Sequence, residues 1–254
     1  MKTIQIVFSP TGGTQKTADL LLESWAAPHE IIDLSDPQVD FSALPIEKED
    51  AVLLAVPSFG GRVPEPAAQR MARLRGNGAR CVLLCVYGNR AYEDTLAELY
   101  DLAQNSGFIP VAAVAAVAEH SILRQYAAGR PDAQDAAQLR AFSAQTFSRI
   151  QEGNFTGPLS LPGNRPYKNS GGSGMVPKAG STCVRCSLCA ENCPTRAIPK
   201  DHPQTTDKAA CISCMRCVGL CPHQARQLNG MMLSAAALAL KKACSVRKEN
   251  ELFL

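Results

Sequence analysis

No apolar run in this sequence is long enough to cross a bilayer. The longest, Ile109 to Ala118 and Ser234 to Leu240, fall well short of the roughly 20 residues that a spanning helix needs, so no membrane span is expected. A secretory leader is not expected either, since Met1, Lys2 and Thr3 run straight into an alternating apolar strand, and a cytoplasmic location is expected. Charge of one sign is not in excess either. A net charge of +3, with no basic stripe interleaved with aromatics, argues against a nucleic-acid partner. The nucleoside-triphosphate ending Gly-Lys-Ser/Thr and the dinucleotide pattern Gly-x-Gly-x-x-Gly are both absent.

Cysteine is abundant and is not scattered. The chain has 11 cysteines, and eight of them fall in two copies of Cys-x2-Cys-x2-Cys-x3-Cys-Pro placed 28 residues apart. The first copy holds Cys183, Cys186, Cys189 and Cys193 before Pro194; the second holds Cys211, Cys214, Cys217 and Cys221 before Pro222. Thiolates are soft ligands, and eight at this spacing suit two four-iron, four-sulfide (4Fe-4S) clusters. Zinc and disulfides compete with that reading. Structural zinc usually takes two separated Cys-x2-Cys pairs, whereas here a third cysteine follows each pair after two residues, and a disulfide framework would be spread more widely.

This stretch resembles the bacterial two-cluster ferredoxins over about 50 residues. In such proteins the cysteine before each proline ligates the other cluster, which implies one set of Cys183, Cys186, Cys189 and Cys221 and another of Cys211, Cys214, Cys217 and Cys193. Residues 178–230 carry seven Lys or Arg against three Asp or Glu, a local charge of +4, while residues 1–177 sum to −3 and the tail to +2. A basic scaffold around anionic clusters tends to raise their potentials. Cys81 and Cys85 lie in an apolar strand and read as core, and Cys244 has no neighbour at ligand spacing.

The amino-terminal part alternates strand and helix. Lys2–Phe8 reads as a strand, Ser9-Pro10-Thr11-Gly12-Gly13-Thr14 as a loop and Gln15–Ala26 as a helix. Strands follow at Glu30–Leu34, Ala51–Val56, Arg80–Val86 and Phe108–Val117, with helices at Pro66–Leu74, Glu93–Asn105 and Asp132–Gln151. That order predicts an α/β doubly wound parallel sheet with ligands beyond the strand carboxyl ends. The first loop suits a phosphate: backbone N–H groups, the hydroxyls of Ser9, Thr11 and Thr14 and a helix amino terminus converge there. After the third strand comes Pro57-Ser58-Phe59-Gly60-Gly61-Arg62, and after the fourth Tyr87-Gly88-Asn89-Arg90-Ala91-Tyr92.

Ser-x-Thr-Gly-x-Thr resembles the loop with which flavodoxins hold the phosphate of FMN. Phe59-Gly60 and Gly88-Asn89-Arg90-Ala91-Tyr92 are similar to the loops that flank their isoalloxazine. The resemblance covers about 150 residues and implies FMN held by these three loops, with Phe59 inside and Tyr92 outside the ring and the Gly60 peptide near N5. Three departures stand out: Pro10 and Gly13 in the phosphate loop, Phe59 in place of the usual tryptophan, and Arg62 and Arg90 where flavodoxins are commonly acidic. Arginines near the ring are expected to favour its reduced anion. Glu119-His120-Ser121, at the end of the strand from Phe108, are within reach of the flavin or a substrate, His120 as a proton donor, although a capping role competes.

The expected domains are 1–152 for FMN, a Gly/Pro/Ser-rich linker at 153–177, a small α+β ferredoxin domain at 178–230, and a closing helix from Met231 to Val246 with a tail to 254. A flexible linker of this length would let the modules meet within one chain or across a homodimer. The whole arrangement resembles the fused flavodoxin-ferredoxin proteins of anaerobic bacteria and archaea. It implies single-electron transfer between clusters and FMN, with redox proteins as donor and acceptor. The alternatives are an FMN-dependent reductase of a small acceptor such as a quinone, favoured by an open ring face beside His120, and a redox sensor.

Overall fold

A computed structural model describes residues 1–25, 29–152, 157–169 and 172–254. The elements come in the order β1 (Thr3–Val7), α1 (Gly13–Leu22), β2 (His29–Asp33), β3 (Ala51–Pro57), α2 (Glu65–Met71), β4 (Arg80–Tyr87), α3 (Thr95–Asn105), β5 (Ile109–Val117), α4 (Ala133–Gln151), β6 (Lys178–Ala179), α5 (Leu188–Glu191), α6 (Arg216–Leu220), β7 (Arg226–Gln227), α7 (Gly230–Cys244) and β8 (Glu251–Phe253). The expected end of α1 at Ala26 lies outside the described residues.

Period-two alternation sorts each central strand onto two faces. Ile4, Ile6, Val52, Leu54, Cys81, Leu83 and Cys85 pack beneath α2 and α3, with Met71, Leu96, Leu99 and Ala103. Val7, Leu53, Ala55, Val82 and Leu84 pack beneath α1 and α4, with Ala18, Leu21 and Leu139. Cys81 and Cys85 are therefore core, and burial pushes both thiols far up from the ordinary cysteine value. Strands buried on both faces leave only their ends for chemistry.

The sheet order is β2-β1-β3-β4-β5-β8, parallel except for the last strand. Its first five strands have the flavodoxin-like order, with the switch point between β1 and β3. The sixth was not expected from the sequence: the far carboxyl terminus returns and pairs antiparallel with β5, Ala113 against Phe253 and Ala115 against Glu251. Asn250 fixes the register. Its Oδ1 accepts Val117 N–H at 2.9 Å, and its Nδ2 donates to Gln138 Oε1 at 2.9 Å and Asp135 Oδ1 at 3.2 Å. Asp135 also closes the capping box of α4 with Asp132 and holds the buried Arg130. The cysteine module is thus enclosed between α4 and β8, and the added strand covers what would be an open sheet edge.

The segment expected as a free linker is partly docked. Its residues 153–156 and 170–171 lie outside the described residues. Farther along, Asn164 N–H and Lys168 N–H donate to the two oxygens of Asp94 at 2.8 and 2.7 Å, and Arg165 forks onto Asp101 at 2.6 and 2.7 Å. The tail helix, expected over Met231–Val246, runs Gly230–Cys244, with Asn229 accepting Met232 N–H at its start. No helix among the described residues is long and apolar enough to cross a membrane.

Replacing Asn250 by Ala leaves the buried Val117 N–H without its acceptor, so Asn250→Ala is expected to cost ~1–3 kcal/mol. Urea unfolding followed by far-UV circular dichroism measures it.

Candidate functional site

The carboxyl ends of β1, β3, β4 and β5 border an open cavity of about 490 Å³, part of it continuous with solvent. The first loop contributes Pro10, Thr11, Gly13 and Thr14; the second Pro57, Ser58 and Phe59; the third Val86, Tyr87 and Gly88. Ala118, Glu119, His120 and Ser121 close the fourth side. Gly12 begins α1 in the left-handed region at φ 85°, which lets the chain turn from strand into helix and aims the amino end of α1 at the cavity. Gly60 and Gly61, at φ 61° and 85°, make a tight turn in which Phe59 and Arg62 exchange backbone hydrogen bonds of 3.0 and 3.2 Å. That turn sets Phe59 edge-on against Phe8, with ring centroids 6.4 Å apart.

Half of the expected flavin residues stand in this wall, and the others have different work. Ser9, expected as a phosphate donor, does not border the cavity, and its Oγ accepts Gln15 N–H at 2.9 Å in the first turn of α1. Arg62 is turned from the cavity: it forks onto Glu98 at 2.7 and 2.8 Å, donates to Lys168 O at 2.5 Å and lies 4.9 Å over the Tyr167 ring. Arg90 pairs with Glu93 at 2.5 Å. Each of the two arginines thus has a carboxylate of its own, and neither borders the cavity. Asn89 is buried and donates to Cys244 O at 2.8 Å and Val246 O at 2.9 Å, tying down the tail. Tyr92, expected over the outer face, instead bonds Glu251 of β8 at 3.1 Å and meets Tyr87 edge-on at 5.1 Å. Tyr87 is the tyrosine that borders the cavity, and burial pushes its hydroxyl up to about 12.

His120 borders the cavity. Its Nδ1 accepts Ile122 N–H and Leu123 N–H, both at 3.2 Å, which leaves Nε2 to carry the proton of the neutral ring. Burial lowers its pKa below the ordinary histidine value, and the charge of Arg90 acts in the same direction. The ring packs on Gly88 so closely that a Cβ there would stand 2.8 Å from three of its atoms. Glycine is required at 88 for that reason.

The cysteines border two further cavities of about 350 Å³ each. One is lined by Cys183, Cys186, Cys189 and Cys221, the other by Cys193, Cys211, Cys214 and Cys217. Each copy of the repeat therefore lends its fourth cysteine to the other's cavity. The backbone repeats as faithfully as the sequence. Arg185 and Ser213 have φ of 60° and 55°, Ser187 and Met215 of 61° and 62°, Arg196 and Gln224 of 53° and 49°. None of these is glycine, so each left-handed residue is strained by about 1–2 kcal/mol. Among the described residues no three His, Cys, Asp or Glu side chains gather as a site for a metal ion.

Cys214 belongs to two walls at once. It borders its own four-cysteine cavity and also the cavity at the sheet ends. The module is held there by Arg216, 3.5 Å from Asp33 at the end of β2, by Arg70 donating to Pro194 O at 2.6 Å, and by Arg196 donating to Pro37 O at 3.1 Å. Ile212 packs against the core beneath α2 and α3. Nothing in the spacing of the cysteines points to Cys214 over its seven companions as the one beside the sheet. The apolar parts of the wall, Pro10, Val86 and Ala118, carried no signal beyond their places at strand ends.

No family model matches the chain, and no curated protein matches it. Among solved structures, a Streptococcus pneumoniae TIGR4 flavodoxin is similar at 18% identity, with 58% of this chain and 99% of that one covered and a TM-score of 0.42. A flavodoxin from the Archaea is similar at 14% identity, covering 60% and 100%, with a TM-score of 0.43. An oxidised flavodoxin of Bacillus cereus is similar at 14% identity, covering 61% and 100%, with a TM-score of 0.39.

Two outcomes follow for His120 and Gly88. Since the folded-state pKa of His120 lies below its unfolded value, stability tied to the neutral ring is full above about pH 6.5 and is lost as pH falls through the folded value. Nitrogen NMR is expected to show a neutral, Nε2-protonated ring at about pH 6.5, where a free histidine is half protonated. Gly88→Ala is expected to cost ~1–3 kcal/mol through overpacking against that ring, seen as a lower urea midpoint.

Proposed function

We propose that this chain is an electron-transfer protein that holds FMN in the cavity at the sheet ends and a 4Fe-4S cluster in each four-cysteine cavity. When bound, the flavin holds one or two electrons and each cluster one, which is all the redox chemistry the function requires. The observation that carries the reading is Cys214, a thiol common to the second cysteine cavity and the flavin cavity.

The residues present fit both groups. For FMN, the amino end of α1 with Thr11 and Thr14 would take the phosphate, Phe59 and Tyr87 would flank the flat ring, and Nε2–H of His120 would offer it a hydrogen bond. For the clusters, Cys183, Cys186, Cys189 and Cys221 would hold one, and Cys211, Cys214, Cys217 and Cys193 the other. Arg226 supports an anionic occupant of the first cavity: it is buried, Cys189 is among its partners, and its Nε has none. Arg216 does the same at the second cavity, where its Nε is likewise buried without a partner. The module's charge of +4 would offset anionic clusters. A cytoplasmic chain exchanging electrons with other redox proteins is the setting this arrangement fits.

In this reading the second cysteine set faces the flavin cavity, and the first, whose Cys186 is exposed, faces solvent. An external partner would then meet the first set. A second reading, reduction of a small acceptor such as a quinone, is favoured by one observation: His120 borders the cavity and Tyr92 does not cover it. Quinone-dependent oxidation of the reduced protein, absent in His120→Leu, would favour it over the carrier.

Protein prepared without air is expected to contain about one flavin and eight irons per chain. Cys193→Ser is expected to halve the iron, and its loss should fall on the cluster of Cys211, Cys214 and Cys217, although Cys193 belongs to the first copy of the repeat. Iron analysis with electron paramagnetic resonance measures both, and a colourless native protein would overturn the reading.

A further inference from the structure

The two cysteine cavities are built by one repeat, and the repeat breaks at a buried position. Ile198 follows Cys193 by five residues, and Arg226 follows Cys221 by five. Ile198 is 4% exposed and borders the cavity of Cys193, Cys211, Cys214 and Cys217; Arg226 is 3% exposed and borders that of Cys183, Cys186, Cys189 and Cys221. At this position the walls carry an aliphatic side chain in one case and a cation in the other; at Leu188 and Arg216 the order is reversed, but Arg216 has the carboxylate of Asp33 at 3.5 Å to answer its charge, and Arg226 has none.

The surroundings of Arg226 leave its charge to be answered from inside the cavity. Its Nη1 donates to Thr206 Oγ1 at 2.6 Å and Pro177 O at 3.3 Å. Its Nη2 donates to Pro203 O, to Thr205 O at 3.3 Å and to Cys189 Sγ at 3.7 Å. All of these partners are neutral carbonyls or a hydroxyl except the cysteine sulfur. Among the described residues no carboxylate pairs with it, and its Nε has no partner. A buried guanidinium in that condition is costly unless an anion lies beside it.

Resting on the reading that 4Fe-4S clusters fill the two cavities, we propose that Arg226 makes the two unequal: its charge and its N–H toward Cys189 raise the reduction potential of the cluster at Cys183, Cys186, Cys189 and Cys221 above that of its repeat partner. The first electron to enter the pair then rests at the site that shares no residue with the flavin cavity. The step is a one-electron reduction by an external low-potential donor; no bond forms or breaks, and no proton is taken up. Charge and hydrogen bonds to sulfur are the recognised levers on such potentials, and in a poorly solvated interior both act strongly. The charge of Arg226 also reaches Cys211 and Cys217, so both clusters feel it, but its direct contact is with Cys189. Arg226 is a positioning and tuning residue, not a ligand.

The test is an anaerobic titration of the full chain with dithionite, followed by electron paramagnetic resonance, with iron and flavin counted per chain. The native protein is expected to give two resolved cluster waves. Arg226→Gln should lower the upper wave by at least about 59 mV, a tenfold rise in the oxidised-to-reduced ratio at fixed potential for a one-electron couple, and narrow the gap, while Arg226→Lys keeps it. A full complement of iron with an unchanged gap in Arg226→Gln overturns the proposal. A measurement on the native protein alone decides the matter should that variant lose iron. In half-reduced protein, the hyperfine-shifted β-protons of Cys183, Cys186, Cys189 and Cys221 should carry the reduced pattern, and finding it on Cys211, Cys214, Cys217 and Cys193 instead refutes the assignment. A native chain without iron removes the cluster reading itself, and this proposal with it.

Discussion

The geometry of the whole molecule depends on the cysteine module being fastened at both ends to the sheet domain. On entry, the carboxylate of Asp94, itself 1% exposed, takes the backbone N–H groups of Lys168 and Asn164 and holds its pKa below the usual carboxylate range by those bonds. On exit, Asn250 takes Val117 N–H and passes the chain into β8. A tether would only raise one module's effective concentration near the other. Two anchors fix a single approach, and the approach they fix places Cys214 in the wall of the sheet-end cavity.

The anchoring explains what became of the polar loop residues. Asn89 and Lys248 bind each other's segments, the lysine Nζ donating to Asn89 O at 2.8 Å, and Tyr92 reaches Glu251. Arg62 is spent on Glu98 and on the carbonyl of Lys168. In a sheet domain standing alone these side chains would be available to a ligand. Here the returning tail and the docked segment use them, so the cavity is left with small, apolar, aromatic and hydroxyl-bearing walls and with Glu119 and His120. A ring bound there would meet less positive charge than the count of arginines suggests, because Arg62 and Arg90 each face a carboxylate at 2.7 and 2.5 Å.

What was legible in the sequence was whatever is local. Strand alternation gives the two faces of β1, β3 and β4; the small-residue loop after β1 and the Phe59-Gly60 turn need only their own backbone preferences; and the cysteine spacing marks the two copies of the repeat, while the exchange of Cys193 and Cys221 came from the resemblance to two-cluster ferredoxins. Even the left-handed residues recur at the same interval of 28 as the cysteines, although they are non-glycine and gave no warning. The misreadings concern contacts between distant segments. Arg62 and Lys168 are 106 residues apart, Tyr92 and Glu251 are 159 apart, and no periodicity relates them. A glycine- and proline-rich stretch reads as linker from composition, yet Arg165 and Tyr167 give it a place on Asp101 that composition cannot express.

The repeat offers a sharper case, because there the sequence did contain the signal. Ile198 and Arg226 occupy matching positions, and a cation where symmetry calls for an aliphatic residue is a local conflict that folding alone would select against. Such a conflict persists when something absent from the bare polypeptide repays it. Two buried guanidinium Nε atoms, of Arg216 and Arg226, stand without protein partners, one beside each cysteine cavity. Arg216 has Asp33 to share its charge at 3.5 Å, whereas Arg226 has only dipoles and a sulfur. The two cavities are therefore alike in cysteines and unlike in how their buried cations are answered, and the unlikeness runs along the line from the exposed Cys186 to the sheet-end cavity. If clusters fill them, a pair of equal sites would share an electron evenly, whereas a pair made unequal by one unanswered cation would hold it at one end, and the position of that cation would decide which.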